Sequence, residues 1–550
     1  MLKSRVIPFF QAHPNWVVFL GILAFWFLMF VTSGTLFSGF HFMDDHDIVA
    51  IHYHLTTKQM TVPQVIQQWL VEDHATGRFR TFYFIHRILQ TKLLGIHFFL
   101  WSIYTGLLAV FTTFFLFIFG RLLKFSIPEA LIFAFLITFG AQSAVWWYLG
   151  PAETIATFML SLSLLLIALG ITAAKYNRLY EAAGVFCAIL MSLSKENFIL
   201  LLPAIAFLQI WLAKTAVGSW RKAVLRHSLS TSVLLLVCLA ELLFVKYFVG
   251  TTPEIGYAGF EGFNFQAIWR ATVSLSTHGN WWIILIGLCL MVFSQITDAD
   301  QLRNPVLLKK VLSQVLKKAI APITLFLLIT VPQVVLYAKS GISQRYLLPG
   351  IFAYSFLIVW IYRDLNQNSR NLSKFVMLLI AIGLSLSLHS TWNAAHIFAL
   401  EGRSTNRLLS TIVAKTNPAD KILLVTNPMI YLEWNYSIKK YLNYAADRPN
   451  MYVSTYEIQD INQIAAKLKK FYNYQTLETI SDKKDIACIV VFPLLNKIFL
   501  DRSVEWFDRQ NYQELVFGNF NRNLNPNSQI NLYCKNPIKP SSARERSLVD

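Results

Sequence analysis

Long apolar runs separated by short polar segments occupy the first 392 residues. They fall at 16–36, 96–119, 129–149, 152–173, 179–194, 197–213, 229–249, 281–297, 319–338, 346–362 and 374–392. About 20 apolar residues in a helix cross the hydrocarbon of a bilayer. The pattern therefore predicts a mainly α, polytopic membrane protein of about 11 transmembrane helices, although several runs sit near the lower length limit. The first run lacks a small-residue cleavage signature and reads as a retained helix. From residue 393 the pattern becomes polar and turn-rich. KILLVT (421–426), MYVST (451–455), DIACIVVF (485–492), ELVFGNF (514–520) and INLYCK (530–535) read as strands. INQIAAKLKKFY (461–472) and SVEWFDRQ (503–510) read as helices. The predicted organisation is a membrane domain over 1–392 with a long first external loop at 37–95, an external α/β domain over 393–535, and a disordered tail over 536–550.

Composition agrees with the pattern: 55% of the 550 residues are hydrophobic and 14% charged. A net charge of +18 raises the question of nucleic acid, but the Lys and Arg residues sit in short clusters between apolar runs. There they set topology by the positive-inside rule, and no nucleic-acid partner is expected. With the spans alternating, these clusters share one face when the N-terminus is cytoplasmic, as in a multi-pass protein of the cell (inner) membrane. The 37–95 loop, the turns at 150–153 and 194–197, the segment 340–350 and everything after about 393 then lie on the external face. Cys187, Cys238 and Cys289 fall in apolar runs, whereas Cys488 and Cys534 share the soluble tail, where a disulfide is left open.

Candidate chemistry collects on that external face. FHFMDDHDIVAIHYH (40–54) puts Asp44, Asp45 and Asp47 just beyond the first span, among His41, His46, His52 and His54. Charges so near hydrocarbon are costly unless they are used. One alternative is that the acids cap a helix starting near Ile48. Another is a metal site with Asp44, Asp45 and His46 as candidate ligands for a divalent ion, at a spacing that fits no metal motif. Glu153 either joins the site or caps the helix it begins. Lys195 and Arg345 either bind an anion or snorkel to the interface. Glu241, inside a span, pairs with Lys246 or faces a cavity, and Trp146, Trp147 and Tyr148 read as an interfacial aromatic belt. Residues 61–74 predict an amphipathic surface helix, and GRFRTFYFIHRI (77–88) an interfacial anchor. There is no internal repeat and no glycine-rich phosphate loop, which weighs against a nucleotide-driven pump.

Three segments, in order, resemble the C-type (GT-C) membrane glycosyltransferases that use polyprenyl-phosphate sugars, such as protein O-mannosyltransferases and lipid A aminoarabinose transferases. They are the acid pair Asp44–Asp45, SKENFILLLPA (194–204) and QRYLLPG (344–350). The sequence departs from the family pattern at His46 and Asp47 after the pair, and at Glu196, which stands in place of a glycine and could pair with Lys195. The resemblance implies transfer of a sugar from a polyprenyl-phosphate donor to a hydroxyl of a glycan, lipid or protein acceptor, with inversion. Asp44 would be the general base, with Asp45 orienting it or binding the acceptor. Lys195 and Arg345 would hold the phosphate, with Tyr346, Glu153 and Asp47 as further substrate-binding residues and no certain cofactor. The competing classes are a transporter or flippase and an O-antigen ligase-like oligosaccharide transferase. Transporters place polar groups on broken helices at mid-membrane, and here they cluster at outer helix ends.

Overall fold

Most of the apolar runs are helical in the computed structural model, which describes residues 14–75, 78–173, 175–249, 265–296, 305–340, 342–427, 430–455, 475–518 and 528–535. The chain passes from α1 (Pro14–Ser33) through three helices of the first loop, α2 (His46–Thr56), α3 (Val62–Ala75) and α4 (Thr81–Leu94), into α5 (Phe98–Leu122). Then follow α6 (Ile127–Thr138), α7 (Ala152–Thr172), α8 (Asn177–Ser192), the single turn α9 (Glu196–Ile199), α10 (Leu202–Val217), α11 (Trp220–Arg226) and α12 (Ser228–Phe244). The helical part closes with α13 (Phe265–His278), α14 (Trp281–Phe293), α15 (Pro305–Ser340), α16 (Leu348–Asn368) and α17 (Arg370–Lys415). Among the described residues eight helices are long and apolar enough to cross a membrane, or nine if α13 and α14, bent by 73°, form one broken span. The difference from eleven lies mainly in two shorter helices. The run at 129–149 is interrupted: α6 ends at Thr138, and Gly140, at φ 117, leads into a 3-10 turn at Ala141–Trp146. The run at 179–194 is α8, of 16 residues. It packs tightly on α7, since a Cβ on Gly184 would lie 2.8 Å from the Ile167 backbone nitrogen. The protein is a multi-pass membrane protein.

Two expectations about side chains in this part change. Trp146 and Trp147 are buried, and they ring Trp26 at centroid distances of 6.0 and 5.9 Å. They are core aromatics and not an interfacial belt. Arg87, in the presumed anchor segment, is buried; its guanidinium donates to the Leu149 carbonyl at 2.6 Å and covers the Trp101 ring at 4.5 Å. Glu241 accepts from the Ser192 hydroxyl at 2.8 Å.

Beyond α17, β1 (Lys421–Val425), α18 (Leu432–Lys440), β2 (Met451–Ser454), β3 (Gln475–Thr476), β4 (Ile486–Val491), α19 (Asn496–Arg502), β5 (Tyr512–Phe517) and β6 (Ile530–Lys535) build an α/β domain. Its sheet runs β3-β2-β1-β4-β6-β5, parallel from β3 to β4 and antiparallel through β6 and β5. Central β1 is apolar along Ile422–Val425, as a strand covered on both faces must be. Cys488 and Cys534 face each other across β4 and β6 and form a disulfide. The helix expected at 503–510 lies earlier, as α19. Ser503 stops it: the Trp506 and Phe507 amides both donate back to its carbonyl, and Phe507 packs 5.0 Å from Phe499. The helix expected at 461–472 falls outside the described residues.

The described residues divide into two compact units: one holds those up to 33, 61–90 and 100–395, the other 34–60, 91–99 and from 396 on. The acidic segment thus belongs with the sheet, whereas the linear reading kept all of 37–95 with the membrane part. The reason is apolar packing. Phe40, Phe42 and Val49 share one core with Leu408, Ile412, Leu424, Trp434 and Val490.

Candidate active site

In the unit that contains the sheet, the acidic segment forms a turn at the start of α2. Asp44 is half-buried and adopts φ 59, a left-handed conformation that costs a non-glycine residue energy and that Asp and Asn tolerate best. Asp45 is fully buried at the N-cap of α2, but its side chain makes no capping hydrogen bond. Instead its Oδ2 accepts from the His41 backbone amide at 3.0 Å and meets His41 Nδ1 at 3.1 Å. Capping is therefore not what the Asp45 carboxylate does. His41 in turn stacks on Phe398 at 3.8 Å.

The next two residues are held by α18. The Ser437 hydroxyl donates to the Phe42 carbonyl at 2.6 Å, which uses its single proton, so His46 Nδ1, 2.8 Å away, donates to Ser437 Oγ. Lys440 Nζ donates to Asp47 Oδ1 at 2.9 Å and lies 4.2 Å from the Tyr436 ring centroid. Burial opposes the Lys440 charge, but Asp47 and Tyr436 outweigh it and hold the ammonium above its ordinary range. A lysine whose pKa is raised by folding contributes stability throughout the neutral range, lost only as pH rises through that raised value. Among the described residues no group of three His, Cys, Asp or Glu side chains could hold a metal ion. Asp45 turns to His41 and His46 to Ser437, so the candidate ligands Asp44, Asp45 and His46 do not converge.

Close approach of α17 makes this turn sensitive at a distance. A Cβ on Gly402 would fall 2.3 Å from His41 Nε2 and 2.7 Å from the Ser38 carbonyl. Gly402→Ala should displace the His41–Asp45 pair and cost about 1–3 kcal/mol, the usual effect of overpacking. A thermal unfolding midpoint unchanged from wild type would refute this.

In the unit that contains the membrane helices, the other candidates meet. Glu153, in the first turn of α7, is 1% exposed. Lys195 Nζ lies 3.2 Å from its Oε1, and Arg345 Nε lies 4.0 Å from the same oxygen. Both cations lie over the Tyr346 ring, at 5.1 and 5.4 Å from its centroid. The Tyr337 hydroxyl of α15 donates to the Tyr346 carbonyl and steadies that turn. An attraction of about 4 kcal/mol per pair at this range is largely offset by desolvation, so the cluster is an expensive arrangement held by its surroundings. The direct ion pair of Lys195 is with Glu153, while Glu196 feels Lys195 only as part of a wider basic field. Glu196 accepts from the Phe79 amide at 3.3 Å, in the combined field of Arg78, Lys195 and Arg80. Arg80 is itself locked to Asp73, with Nε donating at 3.0 Å.

Residues that the motifs did not single out complete the surroundings. Gln333 Nε2 donates to the Asn197 carbonyl at 2.8 Å, while both polar atoms of the Asn197 carboxamide and Gln333 Oε1 are buried without a partner among the described residues. Buried polar groups are costly when unpaired, so such atoms mark a place for water or a ligand. Asn197 lies within the SKEN segment already noted, and Gln333 was detectable as an amide inside an apolar run. Nothing in the sequence marked Ser437 or Lys440.

No protein-family model and no curated protein matches the sequence. Among solved structures, the chain is similar to ArnT from Cupriavidus metallidurans, crystallised bound to undecaprenyl phosphate. The TM-score is 0.50 at 13% identity, over 95% of this chain and 98% of that one. With the membrane-length helices and the C-terminal sheet described above, this likeness identifies the fold: the chain has a GT-C-like, ArnT-like architecture.

Proposed function

We propose that this protein is an integral-membrane glycosyltransferase that moves a sugar from a polyprenyl-phosphate donor to a hydroxyl of a cell-envelope glycan, lipid or protein. The observation that carries the reading is the convergence of Lys195 and Arg345 on the buried Glu153. Two cations against one carboxylate leave net positive charge for a phosphate, and Glu153 and Tyr346 fix where the cations sit. Asp44 takes the proton of the acceptor hydroxyl. That oxygen attacks the anomeric carbon, the bond from this carbon to the phosphate oxygen breaks, and polyprenyl phosphate leaves with its charge met by Lys195 and Arg345. A single displacement inverts the anomeric configuration. Asp45, fully buried on His41, is a positioning residue for Asp44, and Lys440 plays the same part for Asp47. In this reading the N-terminus is cytoplasmic, the sheet-bearing domain lies outside the inner membrane, and the disulfide suits that oxidising side.

The test supplies membranes containing the wild-type chain with radiolabelled polyprenyl-phosphate sugars and follows label into envelope fractions, beside membranes lacking the protein. Transfer that depends on the protein is expected. Movement of intact labelled carrier across the bilayer without transfer would instead make the protein a flippase.

A further inference from the structure

The far end of α16 from Arg345 carries a second polar cavity. It opens where the α5–α6 turn meets the last residues of α16, has a volume of about 410 Å³, and is lined by Arg121, Lys124, Glu129, Arg363 and Asn366 over a floor of Phe125. That volume suits a small ligand or headgroup. Arg363 lies fifteen residues after Leu348, the first residue of α16, or roughly 22 Å along the helix axis. The cavity is therefore separate from the Glu153 cluster and at the opposite helix end.

Its donors are held in place with capacity to spare. Arg121 spends one N–H on the Phe125 carbonyl at 2.5 Å, and Arg363 one on the Leu123 carbonyl at 2.8 Å. Each guanidinium has five N–H groups, so one anchor orients the fork and leaves the others for a ligand. Lys124 lines the same cavity, exposed, at φ 64, with no partner for its ammonium among the described residues. The carboxamide oxygen of Asn366 accepts from Ser373 at 3.2 Å, which leaves its N–H groups available. The one carboxylate is already engaged: Glu129 accepts from the Ser126 amide at 2.7 Å and closes a capping box at the start of α6. Three cations against one occupied carboxylate make an anion site.

We infer that this cavity binds the phosphate of an anionic phospholipid headgroup. A lipid source is favoured over soluble phosphate by position, because the donors sit at the ends of membrane-crossing helices on the basic face that the positive-inside rule assigns to the cytoplasm. The inference does not depend on the proposed transferase activity.

The experiment uses the purified full chain in neutral detergent, with lipid binding read by native mass spectrometry and folding by thermal unfolding. Phosphatidylglycerol should bind at least tenfold more tightly than phosphatidylcholine. The Arg121→Gln, Lys124→Gln double variant should lose about tenfold or more of that affinity, while Lys310→Gln, an exposed basic site outside the cavity, should lose none. Lys124→Gln alone breaks no contact, so a smaller loss in that variant with an unchanged unfolding midpoint keeps the test independent of folding. Equal phosphatidylglycerol binding by wild type and double variant would overturn the site. Inorganic phosphate binding as tightly as phosphatidylglycerol, and lost in the same variants, would overturn the lipid assignment.

Discussion

Asp44→Asn should lower sugar transfer by about 100- to 10,000-fold, the contribution typical of a general base, with no change in expression or unfolding midpoint. The substitution is chosen for its backbone. At φ 59, Asn is the one neutral near-isostere that keeps the left-handed turn without added strain. Asp44→Ala would mix loss of the base with displacement of Asp45 and His46. A side chain that is half-exposed, beside an Asp45 that is fully buried, is the one able to meet an acceptor. Strain at a residue beside a potential reactive group is also where functional sites store it. Full transfer by Asp44→Asn in the labelled-donor assay would remove Asp44 as the base.

The second large effect concerns the donor. Lys195→Gln and Arg345→Gln should each raise the KM for the polyprenyl-phosphate sugar by about 10- to 100-fold, corresponding to one charge-assisted hydrogen bond of about 1.5–3 kcal/mol. Each single change also leaves the buried Glu153 carboxylate with one cation where it had two, so stability falls as well. The double variant Glu153→Gln, Lys195→Gln separates the two effects. Neutralising both partners removes the stranded carboxylate and should still leave the donor KM raised. A double variant with wild-type donor kinetics would mean that Lys195 only balances Glu153.

Helices and strands were readable in the chain wherever the signal was local. Apolar runs of membrane length became helices, and the five strands expected in the tail formed, because each depends on periodicity within a few residues. The misplaced helix at 503–510 shows the limit of that logic. Its aromatics do pack inward, but as a turn over Phe499, and only the core decides between a turn and a helix there. Candidate site residues were readable as types and not as partners. Glu196 is next to Lys195 in sequence and does feel its charge, yet the carboxylate in direct ion-pair contact with Lys195 is Glu153. Neighbours along the chain point in different directions at a helix start, whereas residues 42 apart can face each other when α7 and the segment before α9 end together. The histidines around the acid pair had no evident role in the sequence; His41 fixes Asp45, and His46 is tied to Ser437.

By itself the sequence determined that this is a multi-pass membrane protein with an α/β domain after its last helix, and that acids and cations stand near helix ends. Hydropathy and periodicity are local properties that folding has to satisfy. Only the tertiary structure decided that Asp45 is buried and Asp44 half-exposed, that α18 reaches back across 391 and 393 residues to hold His46 and Asp47, and that Lys195 and Arg345 share one carboxylate. Those pairings come from how apolar faces pack, and that packing depends on the whole set of helices and strands at once.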